Sequence, residues 1–154
     1  YVDYNELRVC YPEEVVEVIG PRYPRAEERA ARLRAALERV FLAENGASLA
    51  RLRELPKRDA RAYLAGLPGV PGFVAARVAL MALGAHAFPV DGRIARTLVE
   101  AGVCGSDDLP DDLSGQLERA VRAGEAMPAY LLLEASLTGR RRSARRSPKT
   151  GAAG

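Results

Sequence analysis

Residues 67–96, LPGVPGFVAARVALMALGAHAFPVDGRIAR, decide how the rest of this chain is organised. The stretch opens with the hexapeptide LPGVPG at 67–72, whose glycines permit backbone geometry and close approach that a Cβ would block. An apolar helix over about Phe73 to Leu83 follows directly, so the hexapeptide is predicted to be the turn of a hairpin between two helices. The first amides of that second helix have no partner within the helix and lie at the positive end of its dipole. The turn is therefore suited to hold a phosphate.

The residues after the hairpin predict a buried helix, a loop and a third helix. The second helix is apolar nearly all round except for Arg77, which indicates a central rather than a surface position. A loop through His86 and Pro89 then leads to Val90 and Asp91, and a third helix is predicted to start with Gly92 and to end at about Ala101. We assign no role to His86, because a lone histidine in a connecting loop is more often packing or surface.

The two motifs of this stretch resemble those of the helix-hairpin-helix DNA glycosylases of the endonuclease III superfamily. The motifs are the turn LPGV at 67–70 and the pattern VDxxIxR at 90–96, and the similarity extends from about Arg25 to Val103. The resemblance implies that the hairpin grips a DNA phosphate and that Asp91 is the catalytic carboxylate. It assigns DNA contact to the hairpin residues, and we add Arg77 and Arg93 because they are positively charged and lie near the motifs. The implied DNA-binding residues are Leu67, Pro68, Gly69, Val70, Gly72, Arg77 and Arg93.

Three departures from the family pattern restrict the chemistry that the resemblance implies. Pro71 replaces the usual third glycine of the hairpin and lacks an N–H donor. Phe73 stands where bifunctional members carry their lysine nucleophile, so any activity is expected to be monofunctional. Cys10 and Cys104 fit no metal or redox spacing, and we expect no metal, no iron–sulfur cluster and no other cofactor.

Asp91 has a second explanation that needs no chemistry. An aspartate just before a helix commonly caps it by accepting a hydrogen bond from a backbone N–H, worth about 1 kcal/mol. The catalytic hypothesis asks the same carboxylate to face a cleft and stabilise the cationic sugar formed as an N-glycosidic bond breaks. The two roles can coexist.

The length and composition predict one helical domain with a basic tail. A chain of 154 residues that is 48% hydrophobic can form a single core, and no stretch shows sustained strand alternation. The fold class is therefore all-α. The resemblance further implies a helical bundle with a helix-hairpin-helix motif like that of DNA glycosylases. We predict this domain over residues 1–137 and a disordered basic tail over 138–154. Because the chain starts at Tyr1 rather than Met, we expect it to lack helices that relatives place ahead of this point.

The remaining elements follow from apolar periodicity and helix-stop residues. Residues 2–7 show no clear period and are predicted to be an irregular lead-in. The predicted helices run from Pro12 to Gly20, from about Pro24 to Glu44, from Ser48 through Leu52, from Lys57 to Ala65, from about Leu113 to Ala123 and from Met127 to Leu137.

The charge is distributed unevenly along the chain. The net charge is +3, yet residues 139–154 hold six basic residues and no acid, so the rest of the chain has 17 basic and 20 acidic residues. Within it, residues 51–96 hold eight basic residues and three acids, which concentrates positive charge around the hairpin. This asymmetry is typical of a DNA-binding face, although an arginine-rich solvated helix surface would show it too. We expect the hairpin to set the register on DNA and the tail to add nonspecific charge.

Three functions remain open from the sequence. The first is a base-excision enzyme acting on damaged or abasic double-stranded DNA, the second a non-catalytic DNA-binding or scaffold protein with the same fold, and the third a helical interaction module without a DNA role. No apolar run reaches the length of a membrane span, so we expect no membrane partner and a place in the cytoplasm. We also expect a monomer that is associated with the nucleoid.

Overall fold

The computed structural model describes the backbone of residues 3–146 and the side chains of residues 3–137. Within this part of the chain all regular structure is helical, which confirms the all-α prediction. The chain divides into two compact units, Tyr1–Ala85 and His86–Gly154.

The first unit contains five α-helices and one 3₁₀ helix. Their bounds are α1 Tyr4–Val9, α2 Pro12–Ile19, α3 Ala26–Glu44, the 3₁₀ helix Ala50–Arg53, α4 Lys57–Ala65 and α5 Gly72–Leu83. Helix α3 packs against α1 and α2, and α4 packs against α5, to which it is joined by a short turn. The buried apolar side chains of this unit are mostly aliphatic and many are alanine; they include Ala30, Val40, Leu52, Ala60, Leu64, Ala75, Ala79 and Leu80.

The second unit contains three α-helices. They are α6 Gly92–Glu100, α7 Pro110–Ala120 and α8 Ala123–Arg146. Helix α6 packs against both α7 and α8. Aromatic rings contribute to its core, because Phe88 meets Tyr130 edge to face with ring centroids 6.3 Å apart. Ile94, Leu113 and Ala126 are buried in the same unit.

Several helix bounds differ from those that the sequence predicted. The predicted irregular lead-in is wrong, because Tyr4–Val9 is helical and Asp3 caps it by accepting from the amides of Asn5 and Glu6. Helix α7 begins earlier than predicted, at Pro110, where a proline is tolerated in a first turn.

The last helix also differs from its prediction, at both ends. Helix α8 runs from Ala123 to Arg146 rather than from Met127 to Leu137, with Pro128 inside its first turns. The backbone of residues 138–146 is therefore helical where we predicted the start of a disordered tail. The rest of that predicted tail, residues 147–154, lies outside the described residues.

Helix α5 is less buried than its sequence predicted. Its buried positions, which are Ala75, Ala76, Ala79 and Leu80, lie on one face. Met81 is 45% exposed and Arg77 is exposed on the other side. The apolar composition of α5 therefore overstated its burial, because alanine is compatible with both surface and core positions.

Candidate functional site

The hairpin turn has the geometry that its sequence predicted. Helix α4 ends at Ala65, the amide of Leu67 donates to the Leu64 carbonyl, and the amide of Val70 donates to the Leu67 carbonyl at 3.2 Å. Leu67 is buried and anchors the turn, whereas Pro68 and Gly69 are exposed at its tip. The chain therefore reverses over residues 67–71 and enters α5 at Gly72.

Gly69 is required by packing within the protein. Its φ of +76° lies in the left-handed region that favours glycine, and a Cβ there would stand 2.8 Å from the Arg32 carbonyl oxygen and 2.9 Å from the Arg32 Cα. The close approach that the sequence predicted at this glycine is thus an approach to the backbone of α3. Contact between Gly69 and a phosphate stays a prediction.

Two backbone amides in the first turn of α5 have no hydrogen-bond acceptor within the described residues. The cap residue Pro71 has no side-chain acceptor, and its carbonyl receives the amides of Val74 and Ala75 at 2.9 and 3.1 Å. Within residues 3–146, the amides of Gly72 and Phe73 find no acceptor. Pro71 itself supplies no donor, but these two neighbours suit an anion at the positive end of the helix dipole.

A groove lies between this turn and helix α3. It has a volume of about 630 Å³ and is lined on the hairpin side by residues from Gly69 to Val74. Arg25, Arg29 and Arg32 line it from α3 and the residue before that helix. The sequence prediction missed these arginines, since it counted charge only over residues 51–96. Their spacing of four and three residues, which puts side chains on one helix face, was the signal that could have found them.

Two basic residues near the hairpin are engaged in internal contacts. The Lys57 ammonium donates to the Gly84 carbonyl at 2.6 Å, which satisfies the C-terminal end of α5. Arg51 binds both oxygens of Glu44, at 2.6 and 2.9 Å, and this pairing is the main cause that lowers the pKa of Glu44. The local excess of positive charge around the hairpin is thus partly structural.

Asp91 caps helix α6, as one of its two predicted roles requires. Its Oδ1 accepts from the amides of Arg93 and Ile94, each at 2.9 Å. Its Oδ2 accepts from Arg93 Nε at 2.8 Å. The flanking side chains of Val90 and Ile94 are each 1% exposed, so the carboxylate is held by a firmly anchored segment.

The surroundings of Asp91 keep it ionised. Burial raises the pKa of Asp91, but the Ile94 amide and the Arg93 guanidinium together outweigh burial and hold that pKa below its ordinary value. Arg93 in turn reaches Glu134 at 3.3 Å, and the Tyr130 hydroxyl donates to Glu134 at 3.0 Å. An ionised carboxylate can stabilise a neighbouring cation, whereas a low pKa makes it a weak general base.

Helix α7 holds the loop that leads to Asp91. The Ser114 hydroxyl donates to the Phe88 carbonyl at 2.7 Å, and the Phe88 amide donates to Glu118 at 3.2 Å. His86, to which we assigned no role, has Nε2 3.0 Å from the Val121 carbonyl. These contacts brace the loop and position the start of α6.

The predicted site residues divide between the two units. The hairpin residues and Arg77 belong to the first unit, whereas Asp91 and Arg93 belong to the second and contact each other. The chain has two lysines, Lys57 in α4 and Lys149 outside the described residues. Phe73 occupies the position where the resemblance would place a nucleophilic lysine.

Neither a metal or iron–sulfur site nor a membrane-spanning helix is formed by the described part of the chain. The iron–sulfur cluster found in many members of the family that this chain resembles needs four thiolates, which two cysteines cannot provide. Cys10 and Cys104 are free thiols. Residues 3–146 contain no group of three or more histidine, cysteine or acidic side chains that could hold a metal ion. No helix in the described ranges is long and apolar enough to span a membrane.

Comparison with known proteins gives two curated relatives. No family model matches the chain. It is 29% identical over 130 residues to DEMETER-like protein 2 and, over the same length, to DNA glycosylase/AP lyase ROS1, both from Arabidopsis thaliana. The chain is similar to part of a DNA glycosylase. The match covers 84% of this chain but only 10% and 9% of the respective relatives. A stretch of that length necessarily includes both the hairpin and Asp91.

Proposed function

We propose that this chain is a DNA-binding domain of the helix-hairpin-helix glycosylase type that hydrolyses the N-glycosidic bond of a damaged base. The observation that carries the proposal is its similarity to DNA glycosylase/AP lyase ROS1 over a stretch containing both motifs. The open amides at the start of α5 support phosphate binding, and the ionised Asp91 supports catalysis. Its partner in this proposal is damaged or abasic double-stranded DNA, bound by a monomer at the nucleoid.

In this proposal the hairpin positions the protein and Asp91 acts on the reacting sugar. The amides of Gly72 and Phe73 bind a phosphate oxygen, and exposed Arg77 adds positive charge on the same helix. As the bond from the sugar C1′ to the base breaks, positive charge develops on the sugar ring. The carboxylate of Asp91 stabilises that charge, and a water molecule adds to C1′ to leave a free base and an intact abasic strand.

The proposed activity stops at base release. A strand-nicking lyase needs an amine that attacks C1′ and forms an imine. Phe73 cannot do so, and the amine of Lys57 is bound to the Gly84 carbonyl. ROS1 is a DNA glycosylase/AP lyase by name, and we propose that this chain differs from that relative in having Phe73 in place of a nucleophilic lysine.

The test is release of free bases from duplexes that contain deaminated, oxidised or alkylated bases. We expect Asp91→Asn to abolish release and to leave DNA binding within about twofold, because asparagine still caps a helix. Asp112→Asn is the matched control, since it removes an exposed carboxylate from α7 in the same unit. Borohydride should trap no covalent adduct on abasic duplex. Release that Asp91→Asn leaves undiminished would limit Asp91 to its capping role.

A second candidate function is a non-catalytic DNA-binding protein. It is favoured by the contacts of Asp91, because both carboxylate oxygens already accept hydrogen bonds within α6. In that case the wild-type chain binds duplex DNA, releases no base from any duplex of the panel, and Asp91→Asn behaves as the wild type.

A further inference from the structure

The groove between α3 and the hairpin combines positive charge with an apolar floor. One wall is formed by Arg25, Arg29 and Arg32, and Glu28 is the one acid among its lining residues. The groove therefore carries a formal charge of about +2, the balance of three arginines and one carboxylate.

The arginines differ in how strongly they are engaged. Glu28 is shared by two of them, because it lies 2.5 Å from Arg32 and 3.7 Å from Arg25. Arg29 stacks over the ring of Tyr23 at 4.9 Å from the centroid. The side chains of Arg25 and Arg32 remain 73% and 45% exposed, so both can still reach an anion from solvent. Surface pairs of this kind contribute little stability, and a phosphate can replace the carboxylate in them.

Apolar residues from both elements also line the groove, and we call them its floor. Leu33 and Ala36 contribute from α3, while Val70, Phe73 and Val74 contribute from the hairpin and the first turn of α5. Leu33 is 40% exposed, although the periodic pattern of α3 marked it as a core position. Phe73 is the aromatic residue among these lining residues, and its own amide is one of the two open amides of α5. A groove lined by arginines and by apolar and aromatic side chains suits a ligand that has both anionic groups and flat, apolar groups.

Unpaired nucleic acid has that combination of properties. Its phosphates are anionic, and its unpaired bases expose faces that stack on aromatic side chains. In an intact duplex the bases are stacked on each other and cannot reach such a floor. We propose that the α3 groove binds a single-stranded segment of DNA, with its phosphates on Arg25, Arg29 and Arg32 and a base against Phe73. This inference rests on the proposed function, to which it adds the α3 contacts and a preference for unpaired DNA.

The test compares two charge reversals on the same helix. Arg29→Glu changes a groove residue, and Arg34→Glu makes the same change at an exposed position of α3 that does not line the groove. Binding of the full chain to a labelled single-stranded oligonucleotide and to the matched duplex is measured by fluorescence anisotropy. We expect Arg29→Glu to weaken single-strand binding at least tenfold and Arg34→Glu by no more than about twofold, because only the first removes a phosphate contact. In Arg29→Ala, the slope of log affinity against log salt should fall by about 0.7.

The aromatic floor is tested by a pair of variants at one position. Phe73→Ala should weaken single-strand binding by about tenfold, as expected for loss of one stacked base, while Phe73→Tyr should keep it. The loss in Phe73→Ala should be several-fold smaller for the duplex than for the single strand, because paired bases cannot reach the ring. This difference separates stacking from a general loss of structure.

Thermal melting establishes that the variants are folded. If Arg29→Glu melts well below the wild type, Arg25→Glu replaces it and is judged by the same criteria, since that exposed side chain precedes the first residue of α3. Equal weakening by the groove variant and Arg34→Glu would overturn the groove and leave duplex binding by the hairpin standing. A wild-type chain that binds neither oligonucleotide would overturn both proposals.

Discussion

The two helix starts that the sequence marked, at α5 and at α6, use opposite means to satisfy their first amides. Helix α6 begins after Asp91, whose carboxylate accepts from the amides of Arg93 and Ile94. Helix α5 begins after Pro71, whose side chain has no acceptor, and leaves the amides of Gly72 and Phe73 open. The first start is closed by the protein itself, and the second is available to an anionic ligand. Two similar motifs in the sequence therefore have different capacities for binding.

A glycine of the hairpin turn, Gly69, and the first residue of α6, Gly92, should differ most in their tolerance of substitution. Gly69→Ala should destabilise the protein by about 3 kcal/mol, from left-handed strain of about 1–2 kcal/mol and overpacking against Arg32. Gly92→Ala meets nothing within 4 Å and should stabilise by about 0.5 kcal/mol. Urea denaturation of the two variants measures both effects. An unchanged midpoint for Gly69→Ala would show that the turn can move away from α3.

A carboxylate introduced before α5 should cap its first amides, as Asp91 caps those of α6. In Pro71→Asp, the new side chain can accept from the first amides of α5 and occupy the place of a phosphate. We expect duplex affinity to fall by about tenfold, with stability equal to or above that of the wild type. Pro71→Asn is the matched control, because it caps without a charge and should lose much less affinity. Equal losses in the two variants would argue against phosphate binding at this helix start.

Removing the Asp91 carboxylate that caps α6 should have a smaller effect on stability than Gly69→Ala, and that effect should depend on pH. Asp91→Ala should cost about 1 kcal/mol of stability at neutral pH, whereas Asp91→Asn should keep most of the cap. The folded-state pKa of Asp91 lies below its ordinary value, so the charge of Asp91 stabilises the fold above about pH 4 and this contribution is lost as the pH falls through the folded-state pKa.

Thermal melting between about pH 3 and pH 7 measures this dependence. The gap between wild type and Asp91→Ala should narrow in acid, and Asp91→Asn should show no such narrowing relative to Asp91→Ala. A gap that stays constant into acid would mean that the charge of Asp91 does not contribute to stability.

Local residue chemistry was enough to predict the elements around the hairpin. The predicted start of the third helix at Gly92 is confirmed, since an aspartate before a helix is a strong local signal. The predicted helix Lys57 to Ala65 is confirmed with the same bounds. The missed helix α1 had a local signal too, the cap at Asp3, but apolar periodicity was absent over so short a segment. Periodicity is weak evidence for helices of one or two turns.

The sequence by itself determined the all-helical class, the hairpin turn and the cap at Asp91, because each depends on residues within a few positions of one another. Only the tertiary structure decided that Gly69 packs on Arg32, that α3 contributes an arginine wall and that Lys57 is bound to Gly84. These contacts join residues that are distant in the chain. Helical periodicity predicts which residues lie on one face of a helix, but it does not predict which other element packs against that face. The DNA-binding and catalytic roles of the site residues stay predictions, because they depend on how a ligand meets those faces.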